Sequence, residues 1–360
     1  MPHKIAFFDA KPYDQQFFDA AVEDARGGRA TGSAGSPEFE IKYFNTRLNA
    51  DSVSLAQGFD GVCAFVNDTL SAEVINHLKE MGVEIVALRS AGYNNIDLEA
   101  AYGKVHMVRV PAYSPYSVAE HAVAMMLSLN RKTHRAYYRT RDNNFSINGF
   151  LGFDMHDKTV GIIGTGRIGL TLVGILRGFG MKVIAYDARP KHGVEEQYGF
   201  TYVSLDELYS RSDIISLHCP LTPDTHHIVN AKSIKKMKRE AMIINTSRGA
   251  LVDTGALLDA LREQRIGSAG LDVYEEEDDY FFEDLSNETI EDDKLARLLT
   301  YPNVLVTSHQ AFFTKEALTN IAATTLDNLR AYFNDEALEN EVCYRCNQPE
   351  CRKEHGGRCF

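Results

Sequence analysis

Residues 159 to 187, T-V-G-I-I-G-T-G-R-I-G-L-T-L-V-G-I-L-R-G-F-G-M-K-V-I-A-Y-D, leave little freedom in what this chain can fold into. A short run rich in β-branched residues meets a glycine-dense turn, a helical stretch follows, and a second β-rich run ends on an acid. That order is one βαβ unit, which implies a parallel sheet covered by helices. Each glycine has its own reason: Gly164 for a tight turn, Gly166 so that backbone can approach a pyrophosphate, and Gly169 so that the helix packs close to the sheet. A helix starting there points its free N–H groups at phosphates. Asp187 ends the second run, where a carboxylate accepts hydrogen bonds from the adenine-ribose hydroxyls and repels an extra phosphate, so the nucleotide expected is NAD. A lone G-x-G-x-x-G is weak, because glycine-rich turns occur in other α/β units. Here the strand, the helix and the acid all stand where the fingerprint needs them.

The same rhythm runs through the chain. Before residue 110, β-rich runs fall at 4–8, 39–44, 61–66, 85–88 and 105–110, separated by helical or loop stretches, which predicts a first parallel sheet. Residues 27–37, G-G-R-A-T-G-S-A-G-S-P, have the composition of a surface loop. After P-A-Y-S-P at 111–115 an apolar helix leads into the second domain, and its continuation holds Arg131, Lys132, His134, Arg135, Arg139 and Arg141. Such a basic run is either a solvated helix face or a subunit contact. Strand candidates then recur at 160–163, 182–186, 213–217, 241–245, 268–271 and 303–307. A last helix, 314–333, carries apolar residues at Leu318, Ile321, Ala322, Leu326 and Leu329, and its return to the first domain would make that domain discontinuous. The fold class expected from this rhythm is α/β, two domains with parallel sheets.

At 360 residues the chain is long enough for two such domains. No run approaches the roughly 20 apolar residues of a membrane span, and the N-terminus has no basic start followed by a long apolar stretch, so a cytoplasmic protein is expected. A net charge of −12 disfavours nucleic-acid or anionic-membrane partners and says little about a small anionic substrate. Cys63 and Cys219 sit in apolar β-type runs and read as core residues.

Ligands of open α/β sheets bind beyond the carboxyl ends of strands. The residues there are His218, Cys219 and Pro220 after 213–217; Thr246, Ser247 and Arg248 after 241–245; Asp272 and Glu277 after 268–271; and His309 after 303–307. A nicotinamide enzyme acting on an alcohol or carbonyl needs a group to exchange a proton with oxygen, and histidine titrates near working pH. A neighbouring carboxylate favours imidazolium and sets the tautomer; an arginine clamps a substrate carboxylate. Of the histidines, His218 and His309 follow strands, and His309 is preferred because Arg248 and Glu277 lie at neighbouring strand ends. Each residue alone has a bland alternative: a satisfied core or surface histidine, a surface arginine, and for Glu277 a solvated loop, since 275–293 hold eleven acids and no base. Periodicity does not choose among those acids.

Taken together, L-R-S-A-G-Y-N-N-I-D at 88–97, V-R-V-P-A-Y-S-P-Y-S-V-A-E-H-A at 108–122, G-T-G-R-I-G at 164–169, S-L-H-C-P-L-T-P at 216–223, N-T-S-R-G-A-L-V-D at 245–253, G-L-D-V-Y-E-E-E at 270–277 and S-H-Q-A-F-F-T at 308–314 span nearly the whole chain. This set resembles the D-2-hydroxyacid dehydrogenases, and among them the fermentative D-lactate dehydrogenases of bacteria. The resemblance implies two Rossmann-like or flavodoxin-like domains with parallel sheets: a flavodoxin-like substrate domain of residues 1–112 plus 313–342, a Rossmann NAD domain of 113–312 inserted in it, and an active site in the cleft. It implies His309 as proton donor, Glu277 as its carboxylate partner and Arg248 as substrate arginine. Ser90, Ala91 and Gly92 would hold the substrate carboxylate, with Tyr113 and Phe312 lining the pocket. Arg167 and Ile168 would lie at the pyrophosphate and Asp272 near the nicotinamide end; Gly164, Gly166, Gly169, Asp187, His218, Cys219, Pro220 and Thr246 complete the expected cofactor set. The expected reaction is reduction of pyruvate to D-lactate by NADH. The alternatives are another 2-keto acid and, in a different class, an NAD-sensing binding protein like the corepressors that share this fold. The helix after Pro115 and the arm to about 150 would form the contact of a homodimer or homotetramer, which tips the basic run toward a subunit contact.

Two stretches depart from the family pattern. One is the long loop 27–37. The other is the tail, 343–360, whose Cys343, Cys346, Cys351 and Cys359 begin with a C-x₂-C pair and offer four thiols to a tetrahedral zinc. The spacings are not those of a common zinc module, and a redox-sensitive or unstructured tail is the alternative.

Overall fold

The computed structural model describes residues 2–26, 38–191, 193–277, 280–346, 351–353 and 357–360. The loop 27–37 and His355 of the tail therefore lie outside the described residues. The chain divides into two compact units, Met1–Ser114 with Thr314–Phe360, and Pro115–Phe313. The tail, expected as a separate segment, is part of the first unit.

The first unit holds a five-stranded parallel sheet of β1 (His3–Phe7), β2 (Phe39–Tyr43), β3 (Gly61–Ala64), β4 (Ile85–Leu88) and β5 (His106–Val108), in the order β2-β1-β3-β4-β5. Alternation decides which face each side chain meets. Ile5, Phe7, Cys63, Ile85 and Ala87 pack with Ala322, Leu326 and Leu329 of the helix Lys315–Phe333. Ala6, Phe8, Val62, Ala64, Val86 and Leu88 form the core on the opposite face. The helix starts where Thr314 accepts a hydrogen bond from the Ala317 amide, 3.2 Å, and its five expected apolar positions are all buried. Arg89, at the end of β4 and only 2% exposed, donates to the carbonyls of Phe8 and Asp9 at 3.1 and 2.7 Å and pairs with Asp14 at 3.3 Å, tying the ends of β1 and β4 together.

The second unit holds β6 (Thr159–Ile163), β7 (Lys182–Tyr186), β8 (Thr201–Tyr202), β9 (Ile214–Leu217), β10 (Met242–Asn245), β11 (Ser268–Leu271) and β12 (Val304–Val306), all parallel, in the order β12-β11-β10-β9-β6-β7-β8. The two-residue β8 has no expectation to match, being too short to show a period. Between β6 and β9 the order reverses, which is the switch point where doubly wound sheets bind ligands. Helices Pro115–Arg131 and Arg167–Gly178 cover one face through Val160, Ile162, Met242 and Ile244; Ile163, Ile215, Leu217, Ile243 and Leu271 form the core of the other.

The basic helix is not continuous. Lys132 adopts φ 52°, the left-handed region, and a second helix, Thr133–Arg141, starts after it with no buried residue. Its cations do more than face water: Arg139 donates to the carbonyls of Ser146 and Asn148 and lies 3.9 Å from the Phe150 ring centre, while Lys132 Nζ donates to the Leu151 carbonyl at 2.8 Å. This holds out an arm on which Phe145, Ile147 and Leu151 are 73, 82 and 90% exposed.

Candidate active site

The glycine turn closes β6 as its motif requires. Gly164 has φ +100°, and a Cβ there would lie 2.6 Å from the His218 backbone, so the turn is pressed against the end of β9 at the switch point. A Cβ on Gly169 would lie 2.1 Å from the Gly164 carbonyl. Gly166 differs, since a Cβ on it would meet nothing within 4 Å. Neither left-handed backbone nor crowding within the chain demands glycine at that position, and the open space lies at the N-terminus of the helix begun by Arg167 and Ile168. A pyrophosphate fits there, cradled by free amides.

Asp187 ends β7. Its Oδ2 accepts from the amide and hydroxyl of Thr165 at 2.7 and 2.8 Å, and its Oδ1 from the Arg189 amide at 2.9 Å. Partial burial pushes this carboxyl up, but the donated bonds from Arg189 and Thr165 outweigh it and hold the group below the usual range, so it is anionic at neutral pH. The Thr246 hydroxyl, beyond β10, is buried and has no hydrogen-bond partner among the described residues. A buried hydroxyl left so is a place for a ligand to complete. The open approach at Gly166, the anionic Asp187 and this hydroxyl suit NAD.

His309, Glu277 and Arg248 follow β12, β11 and β10, three adjoining strands. His309 Nδ1 lies 2.8 Å from Glu277 Oε1. The other acids of the run are engaged elsewhere: Glu275 with His227 at 2.5 Å and Glu276 with Lys294 at 3.8 Å. Glu277 Oε2 also accepts from the Tyr274 amide at 2.7 Å, which fixes the carboxylate's direction. Arg248 is folded back on its own chain, donating to the Ser247 carbonyl at 2.6 Å. Its loop is held against the Glu277 loop, because a Cβ on Gly249 would fall 2.0 Å from the Tyr274 carbonyl.

The other strand-end histidine is unlike His309. His218 Nε2 lies 2.8 Å from the Ser216 hydroxyl, and burial pushes its imidazole down to about 4. It is neutral at working pH. The Cys219 thiol beside it is pushed up to about 11 by burial and stays protonated; its carbonyl accepts from Ser247 at 2.7 Å, and the Pro220 carbonyl accepts from Thr225 at 2.7 Å.

Asp272 is fully buried, and its carboxylate accepts from the Thr307 hydroxyl at 2.5 Å and from the amides of Gln310 and Ala311 at 2.9 Å each, with His121 Nε2 at 3.3 Å. Its carbonyl accepts from the His309 amide at 2.7 Å. The loop that carries the histidine is thus built on Asp272. His121 and Thr307 in this network were not singled out from sequence; only their places, His121 inside the stretch 108–122 and Thr307 just before the stretch 308–314, hint at them. Phe282 was missed too: its ring lies 5.9 Å from that of His309 and 6.5 Å from that of Phe312, which is buried.

In the first unit Ser90 is buried, its hydroxyl donating to the Gly92 carbonyl at 2.8 Å. The carbonyls of Ser90 and Ala91 accept from the Val110 amide and the Arg109 guanidinium at 3.1 and 2.6 Å. The Tyr113 carbonyl accepts from Asn320 at 2.8 Å.

A dinucleotide cradle at the switch point, with an imidazole oriented by a carboxylate beyond the carboxyl ends of the same sheet, defines a nicotinamide-dependent oxidoreductase. Comparison with known proteins goes further. Residues 123–311 match the D-isomer specific 2-hydroxyacid dehydrogenase, NAD binding domain family. The chain is 49% identical to a 2-hydroxyacid dehydrogenase homolog of Haemophilus influenzae and 48% identical to D-lactate dehydrogenase of Escherichia coli, covering in each case 94% of this chain and 99% of the relative. The solved pyruvate reductase of Chlamydomonas reinhardtii superposes with a TM-score of 0.85 at 43% identity, over 94% of this chain and 98% of that one. The chain belongs to the D-isomer specific 2-hydroxyacid dehydrogenase family, and it is an NAD-dependent oxidoreductase.

Proposed function

We propose that this chain interconverts pyruvate and D-lactate. The observation that carries the reading is the 2.8 Å bond between His309 Nδ1 and Glu277 Oε1, which turns Nε2 into the nitrogen that serves the substrate oxygen. When bound, NADH supplies the hydride that reaches the keto carbon. His309 gives the proton to the carbonyl oxygen in reduction and takes it back in oxidation. Glu277 holds the ring in one tautomer and stabilises the imidazolium form through its charge. Arg248, turned outward from Ser247, pairs with the substrate carboxylate and polarises the carbonyl. The amides of Ser90, Ala91 and Gly92 bind the same carboxylate, and Tyr113 and Phe312 limit the group attached to the keto carbon. Asp272 acts at the nicotinamide end by holding the His309 loop in place.

The relatives named D-lactate dehydrogenase and pyruvate reductase support the substrate. Two buried cysteine thiols in the core, Cys63 and Cys219, are consistent with a reducing, cytoplasmic setting; no helix among the described residues is long and apolar enough to cross a membrane. The test is a steady-state screen of NADH oxidation with pyruvate, hydroxypyruvate, glyoxylate and branched 2-keto acids. Pyruvate should give the highest kcat/KM, with D-lactate and not L-lactate as product. A larger 2-keto acid in first place would transfer the reading to that substrate, and no turnover with any of them would favour an NAD-sensing role.

A further inference from the structure

The four tail cysteines have no part in the dehydrogenase chemistry, yet the fold gathers them. All four Sγ atoms lie within 4.8 Å of one another. Four of the separations are 3.7 Å for Cys343–Cys346, 4.0 Å for Cys343–Cys351, 4.0 Å for Cys346–Cys359 and 3.8 Å for Cys351–Cys359. Sulfurs bound to zinc at about 2.3 Å in a regular tetrahedron are about 3.8 Å apart along each edge. A disulfide instead needs sulfurs at about 2.05 Å. The distances are those of ligands around one centre, and no two of the sulfurs are singled out as a pair.

The chain around them is built to keep that arrangement. Cys343, Cys351 and Cys359 are buried and Cys346 is half-buried. The Cys343 amide donates to Cys346 Sγ at 3.2 Å, and the backbone amides of Arg345 and Lys353 are directed at the sulfurs of Cys343 and Cys351. Four thiolates around a dication leave a local charge of −2, and residues 343–360 carry four cations, Arg345, Arg352, Lys353 and Arg358, against two acids, Glu350 and Glu354, a net +2 in a chain whose net charge is −12.

The cluster is also anchored. Buried Glu341 accepts from the Cys359 amide at 2.5 Å with one carboxylate oxygen and lies 2.6 Å from His106 Nδ1 with the other, and the Phe360 ring stacks on His106 with centres 4.2 Å apart. The Lys353 ammonium donates to the Glu341 carbonyl at 2.9 Å. Just before the first cysteine the chain pairs with β5, the edge strand of the first sheet: Arg109 donates to Asn340, and Val342 to Met107.

We propose that Cys343, Cys346, Cys351 and Cys359 form a tetrathiolate site for one zinc ion, a closed structural centre that clamps the end of the chain over the open edge of the first sheet. With every coordination position filled by protein, the ion has no place for a substrate and takes no part in hydride or proton transfer. Its work is mechanical: an edge strand left bare is a template for pairing with another chain, and the clamped tail covers it.

The test uses the full-length protein purified under reducing conditions without chelator. Metal analysis should find close to one zinc per chain, and zinc X-ray absorption should show four sulfur neighbours at about 2.3 Å. Cys346→Ser and Cys359→Ser, made separately in the full chain, should each lose most of the zinc while retaining pyruvate reduction. If either variant fails to fold, the absorption spectrum of the unaltered protein decides alone. Protein without zinc, iron in its place, disulfides between these cysteines, a shell of nitrogen or oxygen, or zinc retained in both variants would each overturn the site. None of these results depends on which 2-keto acid the enzyme prefers.

Discussion

His309 is held with φ 50°, a left-handed conformation that a residue with a side chain adopts only when its surroundings impose it. Its surroundings do: the amide is bonded to Asp272 and the ring to Glu277. If the ring is the proton donor, His309→Ala should lower kcat by about 10²–10⁴ while NADH binding, read by fluorescence titration, stays near the unaltered value. Glu277→Gln keeps a hydrogen-bonding group but removes the charge, and should cost less. A His309→Ala enzyme with near-normal kcat would remove the histidine from the mechanism. At the other end of the sheet, the anionic Asp187 predicts a strong preference for NADH over NADPH in kcat/KM, relaxed by Asp187→Ala. Exposed Arg189 works against that preference by attracting a phosphate, and equal kcat/KM in the unaltered enzyme would show that it prevails.

Among the elements, the loop after β12 depends on a residue of β11's end. Burial pushes the Asp272 carboxyl up, but bonds from His121, Thr307 and the Ala311 amide outweigh it and hold the group below its usual value. A group whose folded-state pKa is depressed stabilises the fold above its unfolded value of about 3.9, and that stability is lost as pH falls through the folded value. Asp272→Asn should therefore cost on the order of 2–3 kcal/mol in denaturant unfolding at pH 7, as expected for a buried charged hydrogen-bonding group. The difference should shrink in acid, below about pH 4, as the native carboxyl protonates too. It should also lower kcat more than it raises KM, because the histidine loop loses its base. A stability difference that is the same at pH 7 and pH 3 would mean that the carboxylate charge contributes nothing.

For the molecule as a whole, the arm after Lys132 shows apolar side chains to solvent from a backbone that is internally bonded. Exposed apolar groups clustered in this way mark an association surface. A protein that elutes as a dimer or tetramer should become smaller in light scattering when Ile147 and Leu151 are both replaced by Glu, because each is more than 80% exposed and their loss leaves no core cavity. An unaltered protein that is already monomeric, or a double variant of undiminished size, would move the contact elsewhere. The basic run that precedes the arm illustrates how far residue type goes. Its charge is plain in the sequence, but that Arg139 and Lys132 cap carbonyls of the arm depends on a chain reversal that periodicity does not carry.

The sequence by itself determined the two parallel sheets, the glycine turn with Asp187 and the set of strand ends from which the site is drawn, because alternation, helical period and glycine requirements are local and survive without knowledge of neighbours. What only the tertiary structure decided is which groups meet. The strand ends already prefer His309 over His218, and the family resemblance already implies Glu277 within its acidic run; the structure adds the contacts, His309 on Glu277, Glu275 on His227, Glu276 by Lys294 and His218 on Ser216. The same holds for the tail: four thiols at spacings of 3, 5 and 8 in sequence say little, whereas Sγ atoms 3.7 to 4.0 Å apart define a centre, since coordination is set by distances in space that the chain reaches only when it has folded.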